Sequence, residues 1–155
     1  MSTSTTTTSD RIEKRIQLKA PRSRVWKALT DPKEFGAWFK VALDGPFKVG
    51  ESTFGNITYP GYEHLKVEMR IERMDAESVF AYRWHPNAIE VNFDYSREPM
   101  TLCEFRLEEK DGGTLLTLTE SGFDKLPAER RAQAFRSNDG GWTQQMANIE
   151  AHVTR

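Results

Sequence analysis

The chain has 155 residues, a net charge of −1 and interspersed charges of both signs. That length suits one domain and can bury a core without help from a disulfide or a metal. The balanced charge leaves no electrostatic footprint for nucleic acid or an anionic membrane, and no apolar run approaches the roughly 20 residues of a membrane-spanning helix.

The first ten residues, MSTSTTTTSD, are Ser/Thr-rich and carry neither a basic region nor an apolar core. They read as a disordered tail, not a secretory signal, and residues 11–155 read as a single domain. In RIEKRIQL, Ile12, Ile16 and Leu18 share one parity, with Lys14 between them, which predicts an amphipathic strand. Pro21 then favours a helix start, and Val25, Trp26 and Leu29 form its apolar stripe. Asp31-Pro32-Lys33-Glu34 predicts a second start. Asp31 can cap, Pro32 takes the first helical position, and Glu34 can reach back as in a capping box. Phe35, Trp38 and Phe39 give that short helix a buried face. Trp26 and Trp38 are expected in the core.

From Val41 to Glu120 the periodicity is that of strands. ESTFGNITY is a weak strand, loosened by Gly55. HLKVEMRIERM is a strong one, with Leu65, Val67, Met69 and Ile71 alternating with charged residues. DAES is a turn. VFAYRW sets Phe80, Tyr82 and Trp84 against Val79, Ala81 and Arg83. TLCEFRLEE puts Cys103, Phe105 and Leu107 on one face, and Asp111-Gly112-Gly113 signals a hairpin into TLLTLTESGF. Between VFAYRWHP and TLCEFRLEE lies NAIEVNFDYSREPM. There Ile89, Val91, Phe93 and Tyr95 alternate with polar residues, as in an extra edge strand or as in a binding rim. Pro127 opens a helix, PAERRAQAF, expected to be interrupted at SNDGG. A second helix follows, with Trp142, Met146, Ile149 and Val153 on one face. The two glycines are expected to allow close backbone approach or a sharp redirection of the chain.

Short strands joined by tight turns argue for an antiparallel sheet rather than βαβ units. The expected architecture is α+β: one strand, two short helices, about six antiparallel strands, and a C-terminal helix across the concave face of the sheet. A twisted sheet gripping one helix seldom fills its interior, so a cavity is expected between them.

LKAPRSRVWKALTDPKEFGAWF, GGTLLTLTESGF and the late GGW before an amphipathic helix resemble the START-like, or SRPBCC, superfamily. Within it they are most similar to the group named for the C-terminal domain of the activator of Hsp-90 ATPase. The resemblance covers nearly all of residues 11–153. It implies a helix-grip (START/Bet v 1-like) fold and a largely apolar cavity, and it supplies no universal catalytic residue set. Since this fold hosts carriers, cyclases and co-chaperone domains alike, function must be argued from the site.

Glu120 shares parity with Leu116 and Leu118 and should point to the concave face. There it could act as an acid, a base or a ligand anchor. The default reading is that the strand twists at Ser121-Gly122 and lets the carboxylate reach water. His85, at a strand end, could be a general base or line the cavity mouth, although parity with Arg83 turns it away from the aromatic row. Glu120 and His85 are thus the weak catalytic candidates. His64 and His152 are expected to be exposed. Tyr82, Trp84, Phe93, Tyr95, Phe105, Trp142, Met146 and Ile149, with Glu120, are the expected ligand-binding set. Aromatic rings with a polar handle orient a ligand, and Met adapts to its shape. Trp142 is expected to head a helix that roofs the cavity. Arg22, Arg24 and Lys27 read as a solvated face.

No histidine has a neighbour at metal-ligand spacing, and no Walker-type, GxGxxG or GxSxG motif occurs. No metal and no cofactor is expected. Cys103 is the one cysteine, so the chain cannot supply the thiolates of an ordinary iron–sulfur site. It reads as a buried structural thiol. The absence of disulfides fits a reducing, cytoplasmic compartment. The leading expectation is a protein that binds an apolar or aromatic small molecule, and an enzyme ranks below it. The family resemblance suggests a co-chaperone-like module with a chaperone partner as the alternative. A cofactor-free cyclase or hydratase is third. Oligomeric state is left open.

Overall fold

A computed structural model describes residues 11–88 and 93–154. The first ten residues, and Ile89 and Val91 of the long connection, lie outside the described residues. Strand β1 (Arg11–Leu18) is followed by helices α1 (Arg22–Thr30) and α2 (Pro32–Phe39). Six strands come next: β2 (Val41–Leu43), β3 (Ser52–Ile57), β4 (Lys66–Asp75), β5 (Val79–Trp84), β6 (Thr101–Lys110) and β7 (Gly113–Ser121). Helix α3 (Ala128–Val153) completes the fold. The seven strands form one antiparallel sheet in the order β1-β7-β6-β5-β4-β3-β2. This is the α+β helix-grip fold, a curved sheet wrapped around a long C-terminal helix.

Local chemistry explains the joints. Pro32 sits in the first turn of α2, and the Asp31 carboxylate accepts from the Lys33 N–H at 2.9 Å. The capping box does not close. Glu34 is drawn instead to Arg24 of α1 and to His152 at the end of α3, 3.0 Å away. His152 is accordingly largely buried, not exposed, and Arg24 belongs to this cluster rather than to a solvated face. The β6–β7 hairpin turns on Asp111 and Gly112, both at positive φ (51° and 79°), as a two-residue type I′ turn requires. Gly55 is needed where it stands, because a Cβ there would collide with the Ala42 carbonyl oxygen of β2.

A further departure from expectation is α3, which runs unbroken for 26 residues through Gly140 and Gly141. Interior glycines cost a helix only about 1 kcal/mol each relative to Ala. Both sit on its exposed face, where a Cβ would meet nothing, so they serve neither close approach nor redirection. The buried stripe therefore extends back from Val153, Ile149, Met146 and Trp142 to Ala134. It packs into a core with Val25, Ala28 and Leu29 of α1, Phe35, Trp38 and Phe39 of α2, and the inner face of the sheet. Trp38 anchors α2 to α1 by donating to the Ala28 carbonyl at 2.8 Å, while Trp26 is only partly buried.

Candidate functional site

Sheet register brings the polar centre together. Tyr82 on β5 faces Cys103 on β6, and Cys103 faces Glu120 on β7. Trp84 faces Thr101 in the neighbouring row. All five therefore share the inner face, since alternate residues of a strand point the same way. Above them α3 contributes Asn138 and Trp142, one turn apart.

Glu120 is fully buried, so the twist at Ser121-Gly122 does not carry it to water. Its Oε1 accepts from Trp142 Nε1 at 2.8 Å and from Asn138 Nδ2 at 3.0 Å. Its Oε2 accepts from Trp84 Nε1 at 2.8 Å, Thr101 Oγ1 at 2.6 Å and Asn138 Nδ2 at 3.1 Å. Every partner is a neutral donor, a set that suits an acceptor-only carboxylate. A buried charge is tolerable only with such hydrogen bonding, because each bond to a charged group contributes about 1.5–3 kcal/mol. The consequence is structural and chemical at once. Three strands and α3 are tied to one carboxylate, and a substrate could approach it only by displacing a donor.

The indoles tied to Glu120 also form an aromatic cluster. Trp84 and Trp142 centroids are 5.7 Å apart, with Phe39 5.7 Å from Trp84 and 6.0 Å from Trp142. Phe105 meets Trp142 edge-on at 5.7 Å. Beneath them the Tyr82 hydroxyl is fully buried beside the Cys103 thiol, the one group near it that offers a weak hydrogen bond. Burial, with the Cys103 thiol and Glu120 nearby, raises its pKa well above the usual phenol range. Burial and Glu120 likewise raise the Cys103 thiol, which keeps it protonated and inert.

The open space lies to one side of this cluster. A cleft of about 610 Å³ is bounded by Phe54 and Ile57 of β3, Leu65, Lys66, Val67 and Glu68 at β4, and Trp84 and His85 at the end of β5. Phe39, Asn87, Ala88, Phe93, Tyr95, His64 and Asn138 complete its lining. Its far rim is stapled to α3 by Arg130, which pairs with Glu98 at 2.8 Å. Arg130 also donates to the Pro86 and Asn87 carbonyls and lies 5.0 Å over the Tyr95 ring. The described part of that connection holds a short 3-10 turn, Tyr95–Arg97, and no strand.

Of the expected ligand-binding residues, Trp84, Phe93 and Tyr95 line the cleft. Tyr82, Phe105, Met146, Ile149 and Trp142 do not: they are buried in a filled core, because the curved sheet closes on α3 at that level. Trp142 thus packs over Glu120 and does not roof an open cavity. Glu120 sits behind the floor, joined to the cleft through Trp84 and Asn138. His85 does line the cleft, against the parity argument. Strand β5 ends at Trp84, so strict alternation stops before it. Its Nδ1 is buried without a partner, and burial lowers its pKa and favours the neutral ring; nearby Glu68 and Glu98 oppose that shift in part.

Asn138, Thr101, Phe39 and the β3–β4 wall were not anticipated. Asn138 falls four residues before Trp142, on the buried stripe, and becomes visible once the helix is read through the glycines. Among the described residues, no helix is long and apolar enough to cross a membrane, and no cluster of three or more His, Cys, Asp or Glu could hold a metal ion.

Solved structures share this fold at low identity. DynU16, from the dynemicin biosynthetic locus, is 20% identical with a TM-score of 0.72; the match covers 93% of this chain and 47% of that one, so this chain spans about half its length. CalU16 from Micromonospora echinospora is 22% identical with a TM-score of 0.65, covering 93% and 76% of the two chains. The Aha1 dimer from Colwellia psychrerythraea is 17% identical with a TM-score of 0.68, covering 92% and 95%. No curated protein matches. The family described as "Activator of Hsp90 ATPase homolog 1-like protein" matches residues 19–154. With the helix-grip fold, that match over most of the chain makes this protein a member of the family.

Proposed function

We propose that the protein binds an apolar or aromatic small molecule in the cleft between β3–β4, the end of β5 and the middle of α3. The observation that carries this reading is the cleft itself. Its volume, about 610 Å³, falls within the ordinary range for small-molecule sites. Its walls are mainly aromatic and aliphatic, with polar groups on the β4 side (His64, Lys66, Glu68) and at His85, Asn87 and Asn138. A ligand buried there would contact Trp84 and Asn138, both already held by Glu120, which lowers the ordering cost of binding.

The test is native mass spectrometry of the protein purified from its own source, beside an Ala88→Trp variant that fills the cleft from its lining. The expected result is a stoichiometric small molecule on the wild type that the variant does not retain. Equal retention by both would place the ligand elsewhere and overturn the reading.

A second reading, a protein-interaction module as the family description suggests, has one observation in its favour. Phe54, Tyr59, Tyr62 and Phe93 are each about half exposed, and contiguous apolar surface marks interaction sites. It requires that the protein stimulate a chaperone ATPase, and that Phe54→Ser abolish the stimulation. An unchanged ATPase rate would remove it.

A further inference from the structure

We infer that the cleft selects neutral ligands carrying a hydrogen-bond donor, a hydroxyl or an N–H, over anions and over ligands that offer only acceptors. This rests on the cleft being the binding site and names the chemistry of what it takes. The determinant is Asn138. Its amide nitrogen donates to both oxygens of Glu120, at 3.0 and 3.1 Å. The reverse orientation would set a carbonyl oxygen against two carboxylate oxygens, so the amide cannot flip. Its Oδ1 is therefore turned away from Glu120. No described residue donates to that oxygen, and Asn138 lines the cleft.

The indole and hydroxyl donors around Glu120 are spent inward, while the Asn87 amide, which also lines the cleft, accepts from Ser137 Oγ at 3.2 Å. Trp84 Nε1, Trp142 Nε1 and Thr101 Oγ1 all donate to Glu120. What remains for a ligand at this end is a carbonyl oxygen beside the ring of Trp84, with a buried carboxylate behind. Each of these presents partial or full negative charge, since the face of an aromatic ring carries the negative side of its quadrupole. A hydroxyl or N–H is attracted there, and a carboxylate is repelled. On the wall, Lys66 is matched by Glu68, so no net charge draws an anion inward. His85 sits alongside as a second polar contact, able to donate or accept according to its tautomer.

The experiment is a fluorescence titration of the full chain with three probes of one ring system: 2-naphthol, 2-methoxynaphthalene and 2-naphthoate. The expected order is naphthol about tenfold tighter than its methyl ether, the scale of one well-placed hydrogen bond, with naphthoate weakest. Asn138→Ala should bring the naphthol and ether affinities together; circular dichroism melting checks that the variant folds. Should it not fold, the wild-type order alone decides. Equal affinities, or naphthoate binding best, would overturn the inference while leaving the cleft as a binding site. Discrimination that survives in folded Asn138→Ala would overturn the role given to that residue. Binding of none of the three would overturn the cleft reading and this inference with it.

Discussion

The C-terminal half of α3 and its middle lie over the same sheet, yet the first interface is filled and the second borders a cleft. In the filled part, Met146, Ile149 and Val153 are buried in one core with residues of α1, α2 and the inner strands. Further contacts clamp that end: Gln145 donates to the Phe39 carbonyl at 3.1 Å, and Arg24 reaches the His152 carbonyl at 3.3 Å. At the middle, α3 presents Asn138 in place of an apolar side chain, and Asn138 is drawn to Glu120 rather than across to the β3–β4 wall. The boundary between the two regions is the pair Trp84–Trp142, joined through one carboxylate. A single polar residue on an otherwise apolar stripe thus separates core from cleft.

That comparison can be broken most severely at the boundary. Glu120→Gln keeps the shape but removes the charge and places an amide N–H₂ among four donors, of which the two indole N–H groups cannot accept. A loss of at least about 3 kcal/mol in unfolding free energy is expected from several charge-assisted bonds lost together, measured by urea denaturation. A loss under about 1 kcal/mol would show that the network contributes little. The filled side is sharpened by Met146→Ala, for which about 2–3 kcal/mol is expected from the cavity left in a packed core. Naphthol affinity should be unchanged, because Met146 does not line the cleft; a change in affinity would show that the two regions communicate.

A smaller effect is expected at the rim. Arg130→Ala removes a largely buried pair with Glu98 and two carbonyl contacts. About 1–2 kcal/mol of stability should be lost, with faster amide exchange at 94–98 and no change in the core strands. Uniform exchange across the chain would refute a local staple.

The smallest effect belongs to Glu34. Burial alone would raise its pKa, but the hydrogen bonds and charges of Arg24 and His152 prevail and hold it below the ordinary value of 4.5. A group whose folded pKa is depressed stabilises above its unfolded pKa and loses that contribution as pH falls through the folded value. Less than about 1 kcal/mol is expected for this partly exposed cluster. Melting curves between pH 6 and 3 should therefore fall less steeply in Glu34→Gln than in the wild type. Parallel curves would remove the cluster from the acid response.

Much of the fold was legible because period-two alternation and tight-turn chemistry act over a few residues. The hairpin at Asp111-Gly112, the cap at Asp31 and the strands β4 to β7 follow from local rules. The C-terminal helix was legible in its buried face but not in its length. Gly140-Gly141 looks like a break from local propensity, and the tertiary burial of Ala134 and Trp142 on either side overrides it. Cys103 lay where an apolar run would put it. Glu120 was legible in direction, through its parity with Leu116 and Leu118, but not in fate.

The sequence by itself determined the order of the elements and the inner face of each strand, which depend on periodicity and on turn residues and are local; the helix-grip class followed from the resemblance of its motifs to a known superfamily. Only the tertiary structure decided which part of the interior is filled. Whether Tyr82, Phe105 and Met146 meet a ligand or one another depends on sheet curvature. The pairing of Glu120 with Asn138, Trp84, Thr101 and Trp142 depends on how β5, β6, β7 and α3 converge, across sequence separations that no periodicity spans.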